Sequence, residues 1–376
     1  MMGWNILSFA LVPVDRSTFL SSLIAGSLGT PVQRIPPSSW TVQLPLEACS
    51  GGCYCVRLCV KGQPTSTGLL PPFLTPSSSR PSRVYRAAVD TGSPYLVLGG
   101  ARDILDNNVG PDFLLAESGY PPTEEIYGSQ SGFIQWKQAE LIVRSHPRLS
   151  SNNTVLGLLD SRLENEAGGT LLGLIKHPNP PRQLEYYRPT WLQQLFVNDI
   201  PVRSFSIDQK HLTLSSKSLL ASSSSRAFPL VDIRPLGDFV EHYVVRVHEL
   251  VLNGRVRITP EDLGGRPIVA VLDTGLTGCL LIQELWDALI DQASIDPRRI
   301  RALNVRVQDT TRSDVIDIQS GRAFNDLFYV APISLDWFMV DNPPLLVVLG
   351  QTFLSQGILT IDTEDRLASF ELSTDP

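Results

Sequence analysis

Apolar positions along this chain come in short blocks, alternating or continuous, with turn residues between them. That spacing predicts strands rather than amphipathic helices. Strands are expected at 54–60, 84–89, 95–98, 132–136, 140–143, 204–207, 211–214, 243–252 and 268–272. Helical spacing is confined to 281–290 and to a short stretch at 190–195. Residues 63–83 are rich in proline, serine and threonine and read as a surface loop. The serine run within 216–225 reads as a break between two halves.

One part of the pattern occurs twice. Ala87-Ala88-Val89-Asp90-Thr91-Gly92-Ser93 is echoed by Ala270-Val271-Leu272-Asp273-Thr274-Gly275-Leu276. Each is followed by an apolar-apolar-Gly element, read as Val155-Leu156-Gly157 in the first half and Val348-Leu349-Gly350 in the second. A single Asp-Thr-Gly is weak evidence, but two entered from apolar strands are hard to assign to chance. Aspartate is rarely buried without a partner. Glycine allows a sharp turn and close backbone approach, and a threonine hydroxyl can tie one loop to the other.

Two carboxylates brought together across a pseudo-twofold interface resist double ionisation and share a proton. Such a pair suits hydrolysis of a peptide bond. The ionised member takes a proton from a water between them, and the protonated member polarises the carbonyl that the water attacks. The sequence contains neither H-E-x-x-H nor G-x-S-x-G, so metallohydrolase and serine-hydrolase readings have no starting point.

On these residues the chain resembles the pepsin-like aspartic peptidase family over most of residues 50–376. The matching segments are Asp90-Thr91-Gly92-Ser93, Asp273-Thr274-Gly275 and Val348-Leu349-Gly350-Gln351-Thr352-Phe353-Leu354. The last continues through Ile361-Asp362 to Arg366-Leu367-Ala368-Ser369-Phe370, and 243–254 resembles the strand pair that opens the second lobe. The resemblance implies an all-β, bilobal fold: two β-barrel lobes with an active-site cleft between them. Its implied boundaries are an extension at 1–39, an N-terminal lobe at 40–215 carrying Asp90 and a flap, and a C-terminal lobe at 216–376 carrying Asp273.

The same resemblance implies that Asp90 and Asp273 are catalytic, supported by Thr91, Gly92, Ser93, Thr274 and Gly275. It implies a hairpin flap at 126–132 whose Tyr127, Gly128 and Ser129 meet the substrate. The implied activity is endopeptidase cleavage of a peptide or protein by a monomer, with neither cofactor nor metal. The alternative is a weakly active or inactive peptide-binding protein on the same scaffold.

The sequence also departs from the family. Val97 stands where a tryptophan usually supports the flap tyrosine, and the flap is about two residues short by comparison with the family. Leu276 stands where the family has threonine or serine. A leucine side chain cannot donate to Asp273 as Ser93 can to Asp90, so Asp273 is expected to hold its proton to higher pH. A less acidic pH optimum than is usual for the family follows.

Composition changes this picture little. Asp and Glu outnumber Lys and Arg by 38 to 31, for a net charge of -7, and no basic stretch suits nucleic acid. The apolar run at 6–14 is too short to span a membrane, so no integral span is expected. Residues 1–39 read either as a targeting segment or as a loosely packed extension, which leaves the compartment open. Cys49, Cys53, Cys55, Cys59 and Cys279 read mainly as thiols, half-buried or facing solvent. A metal site among the clustered four and a disulfide at Cys49 or Cys53 are the alternatives.

Overall fold

A computed structural model describes residues 8–9, 39–49, 53–62, 82–99, 115–127, 130–143, 145–146, 149, 151–159, 170–176, 188–220, 227–236, 241–291, 296, 300, 302–308, 315–319, 330–333 and 342–372. The fold is β-rich, with two barrel-like sheet regions. The first region closes on itself. Cys53–Lys61 pairs with Ser82–Asp90, which runs parallel to Thr170–Gly173. Thr170–Gly173 pairs with Leu96–Leu98, and Leu96–Leu98 runs parallel to Ser151–Leu159. Gln130–Val143 pairs with Ser151–Leu159 on one side and with Cys53–Lys61 on the other, completing the ring.

The second region is a curled sheet, open at both edges among the described residues. Its order is Val315–Gln319, Leu303–Gln308, Val244–Leu252, Ile268–Leu272, Leu345–Leu349, Cys279–Ile282 and Val330–Ile333. A six-stranded sheet joins the regions and draws strands from both ends of the chain. Ala227–Pro229, Leu367–Leu372, Gly357–Asp362, Ser204–Ile207, His211–Ser215 and Thr41–Pro45 follow one another across it. One apolar core runs through all three, from Val42 and Leu44 to Ile361 and Phe370.

Burial explains the sequence pattern. Every residue of Ile268–Leu272 and of Leu345–Leu349 is buried, as expected of parallel neighbours covered on both faces. Thr41–Pro45 instead alternates exposed and buried.

The structure also revises several expectations. The strands expected at 132–136 and 140–143 are one strand, Gln130–Val143, because it crosses from a hairpin into the ring without a break. The helical spacing at 281–290 gives one α-helical turn, Gln283–Trp286, which widens into a π-helical stretch, Asp287–Asp291. The loop expected at 63–83 falls mostly outside the described residues, and Ser82–Asp90 already begins within it.

The cysteine expectation needs the largest correction. Cys49 and Cys53 are joined in a disulfide. Antiparallel pairing of Glu47–Cys49 with Cys53–Lys61 sets those two residues directly opposite each other, within cross-linking reach. Cys55, Cys59 and Cys279 remain thiols and are buried rather than facing solvent. Burial pushes the Cys279 thiol pKa upward. No helix among the described residues is long and apolar enough to cross a membrane.

Candidate functional site

Each Asp-Thr-Gly loop grows from the end of a strand with a parallel glycine-bearing neighbour. Ser82–Asp90 delivers Asp90, and Gly173 of Thr170–Gly173 lies opposite it. Ile268–Leu272 delivers Asp273, whose N–H donates to Leu349 O at 2.9 Å. The neighbour then closes over the loop. Gly173 N–H donates to Tyr95 O (2.9 Å), Leu174 N–H to Asp90 O (2.8 Å) and Ile175 N–H to Ser93 O (3.0 Å). In the second half Gly350 N–H donates to Gly278 O (2.9 Å), Gln351 N–H to Leu276 O (2.7 Å) and Thr352 N–H to Thr277 O (2.9 Å).

Glycine is required at both crossings. A Cβ on Gly173 would lie 2.4 Å from Tyr95 N, and one on Gly350 would lie 2.4 Å from Gly278 O and Leu276 O. The first-half counterpart of Val348-Leu349-Gly350 is therefore Leu171-Leu172-Gly173. Val155-Leu156-Gly157, the pairing expected from sequence, lies on Ser151–Leu159, beyond Leu96–Leu98, and runs beside Val97, not beside Asp90.

The two loops bind each other reciprocally. Thr91 N–H donates to Thr274 Oγ1 (3.0 Å), and Thr274 N–H donates to Thr91 Oγ1 (2.9 Å). Thr91 Oγ1–H donates to Leu272 O (2.7 Å), and Thr274 Oγ1–H donates to Val89 O (2.8 Å). All four bonds are buried, so losing either hydroxyl strands donors and acceptors at about 1–3 kcal/mol each.

This lattice brings the two carboxyls together. Asp90 is 7% exposed and Asp273 is 3% exposed, and their side chains share a hydrogen bond. Each carboxyl rests on the glycine of the opposite loop. A Cβ on Gly92 would lie 2.7 Å from Asp273 Cγ, and one on Gly275 would lie 2.6 Å from Asp90 Cγ.

Their surroundings differ. Asp90 accepts from Gly92 N–H at Oδ1 (2.7 Å) and from Ser93 Oγ–H at Oδ2 (2.6 Å). Asp273 accepts from Gly275 N–H (2.8 Å). Burial raises the Asp273 pKa well above the usual carboxylate range, and the Asp90 charge and their shared hydrogen bond add to it. The N–H groups of Gly275 and Leu276 pull the other way. Leu276, buried at its own position, offers only that N–H.

Two supports were not evident from sequence. Gln351 Nε2 donates to Thr274 O (2.8 Å), and Tyr243 OH donates to Leu174 O (2.7 Å) while accepting from Lys176 N–H (3.2 Å). Burial raises the Tyr243 hydroxyl pKa strongly. The only advance signal for either was position: Gln351 directly follows Gly350, and Tyr243 opens the apolar run at 243–252.

The expected flap coincides with a hairpin between Thr123–Tyr127 and Gln130–Val143, paired from Thr123↔Ile134 to Tyr127↔Gln130. Ser8–Phe9 pairs with its outer edge at Tyr127 and Ile126. The tip residues Gly128 and Ser129 lie outside the described residues, as does the Tyr127 side chain. Among the described residues, one cluster offers several metal donors: the sulfurs of Cys49, Cys53 and Cys55, all within 4.8 Å. Two of the three are consumed by the disulfide. No protein-family model matches the chain, and a search of curated proteins finds no match either.

Proposed function

We propose that the chain is an aspartic endopeptidase of the pepsin-like kind, with two lobes, a substrate cleft between them and a water activated by Asp90 and Asp273. The observation that carries this reading is the reciprocal lock of two buried Asp-Thr-Gly loops, which holds two carboxyls in hydrogen-bonding contact. In the proposed reaction Asp273 holds the proton shared by the pair, and Asp90 carries the charge. Asp90 takes a proton from the water as the water attacks the scissile carbonyl. Asp273 donates its proton to the carbonyl oxygen, giving a neutral gem-diol. Breakdown returns a proton to the leaving amine. Thr91, Gly92, Ser93, Thr274 and Gly275 hold the pair in place, and the 126–132 hairpin with Tyr127, Gly128 and Ser129 covers the bound peptide.

The test is hydrolysis of a mixed peptide library from pH 3 to pH 8, with Asp90→Asn and Asp273→Asn as controls. Cleavage blocked by a statine-containing peptide and lost in both variants is the expected result. The second reading, a peptide-binding protein without turnover, is favoured by Leu276, which leaves Asp273 without the side-chain donor that Ser93 gives Asp90. Saturable peptide binding with no cleavage at any pH would replace the first reading with the second.

A further inference from the structure

The geometry points to Trp136 as a positioning residue: held between Tyr95 and Arg188, it couples the Asp90 loop to the hairpin proposed to cover the cleft. This role rests on the peptidase reading. The contacts themselves do not.

Trp136 sits on the returning strand of the hairpin and is 2% exposed. Its indole N–H donates to Thr123 Oγ1 on the outgoing strand (2.9 Å), which ties the two strands at the hairpin's base. Tyr95 meets the indole edge-on, with ring centroids 4.9 Å apart and planes at 76°. Tyr95 belongs to the loop of Asp90, and its carbonyl accepts from Gly173, the residue opposite Asp90. A short path of packed and bonded groups therefore runs from the carboxylate loop to the hairpin.

Arg188 completes the grip. Its guanidinium lies 4.8 Å from the Trp136 ring and 5.8 Å from the Tyr120 ring, and the residue is 3% exposed. Its Nη2 donates to Pro121 O (2.8 Å), two residues before Thr123, so the same cation holds the entry to the hairpin. The chain then returns to the Asp90 loop, where Trp191 N–H donates to Pro94 O (3.0 Å). Gly157 lets the base lie flush: a Cβ there would meet Ile134 Cγ2 at 2.6 Å and Trp136 Cζ3 at 3.5 Å.

Both strands of the hairpin are thus held by groups anchored on the Asp90 loop. Val97 packs in the same cluster but brings no donor. Purely apolar packing could fill this space. It would not need a buried guanidinium stacked on the indole, nor an indole N–H spent across the hairpin.

The experiment compares Trp136→Phe, Thr123→Val, their double variant, Arg188→Met and Leu159→Ala. The last opens a cavity in the same cluster and opposite Ile134, but removes none of the grip's own groups. Two readouts are taken on the full chain: kcat/KM on a cleaved peptide, and amide exchange of 123–127 and 130–136. Expected are a fall in kcat/KM of about tenfold and exchange faster by a similar factor in Trp136→Phe and Arg188→Met. The double variant should be no worse than Trp136→Phe alone, because both break one bond. Leu159→Ala should lower the melting temperature and leave both readouts near wild type. Hairpin exchange unchanged in Trp136→Phe, or altered equally in Leu159→Ala, overturns the role. If wild type cleaves nothing, the peptidase reading fails while the exchange readout still decides the coupling.

Discussion

Around Asp90, each carboxylate oxygen has a donor: Gly92 N–H at Oδ1 and the Ser93 hydroxyl at Oδ2. Around Asp273, Gly275 N–H repeats the first of these, and Leu276 stands where the second would be. Elsewhere the threonine lock, the glycine N–H bond to Tyr95 O or Gly278 O and the carboxyl resting on the opposite glycine repeat in both loops. The next two N–H groups of each glycine strand reach acceptors that do not correspond. Position is therefore set by symmetric features and protonation by asymmetric ones. A pair that must share one proton while staying fixed in space needs both.

The largest effect should come from breaking the pair itself. Asp90→Asn and Asp273→Asn should each lower kcat/KM on a cleaved peptide by about 10³-fold or more, since each removes one partner of the proposed acid–base pair. Their stabilities should diverge. The folded Asp273 pKa is raised, so its contribution to stability is complete below the unfolded carboxyl pKa and is lost as pH rises through the folded value. An asparagine never ionises. Asp273→Asn should therefore melt above wild type at pH 8 and near it at pH 3. A variant that melts below wild type at pH 8 would mean the buried charge is better compensated than its neighbours imply.

Next in size is the contact between each carboxyl and the opposite glycine. Gly92→Ala places a methyl 2.7 Å from Asp273 Cγ, and Gly275→Ala places one 2.6 Å from Asp90 Cγ. The carboxyl must shift in each case, and a misplacement of about 1 Å costs on the order of 10² in rate. Similar losses in the two variants would support the symmetric half of the comparison. A loss in one variant alone, measured as kcat/KM on the same peptide, would break it.

What the sequence made legible follows from the same division. The strands entering Asp90 and Asp273 carry their own pattern, and the pair could be named from two triplets. The partner strand could not. Apolar-apolar-Gly occurs at both 155–157 and 171–173, and both belong to strands with a parallel neighbour. Only the pairing reveals which glycine lies beside Asp90. Thr154-Val155-Leu156-Gly157-Leu158-Leu159 and Thr170-Leu171-Leu172-Gly173-Leu174-Ile175 share one pattern and one length, so nothing local separates them. The Cys49–Cys53 bond was obscured for a related reason: Glu47–Cys49 is too short to show strand alternation, and only cross-strand register sets the two sulfurs opposite. Trp136 and Arg188 are distant in sequence, and nothing in their local pattern marks a contact.

The smallest effect is the most selective, because it restores the missing donor. Leu276→Ser places a hydroxyl at the position that Ser93 occupies in the other loop, where Ser93 Oγ lies 2.6 Å from Asp90 Oδ2. A donor to the charged form stabilises that form, so the Asp273 pKa should fall. The proton held by Asp273 is then lost at lower pH, and the alkaline limb of the pH–rate profile should move toward acid. Activity at the acidic optimum should change less than about tenfold, because the lock and the glycine contacts are untouched. Leu276→Val is the control, with no donor and an apolar side chain kept. An alkaline limb that moves equally in both variants would trace the shift to packing around a buried leucine. An unmoved limb in Leu276→Ser would show that the backbone N–H groups of Gly275 and Leu276 already satisfy Asp273, and that its raised pKa comes from burial and from Asp90 alone.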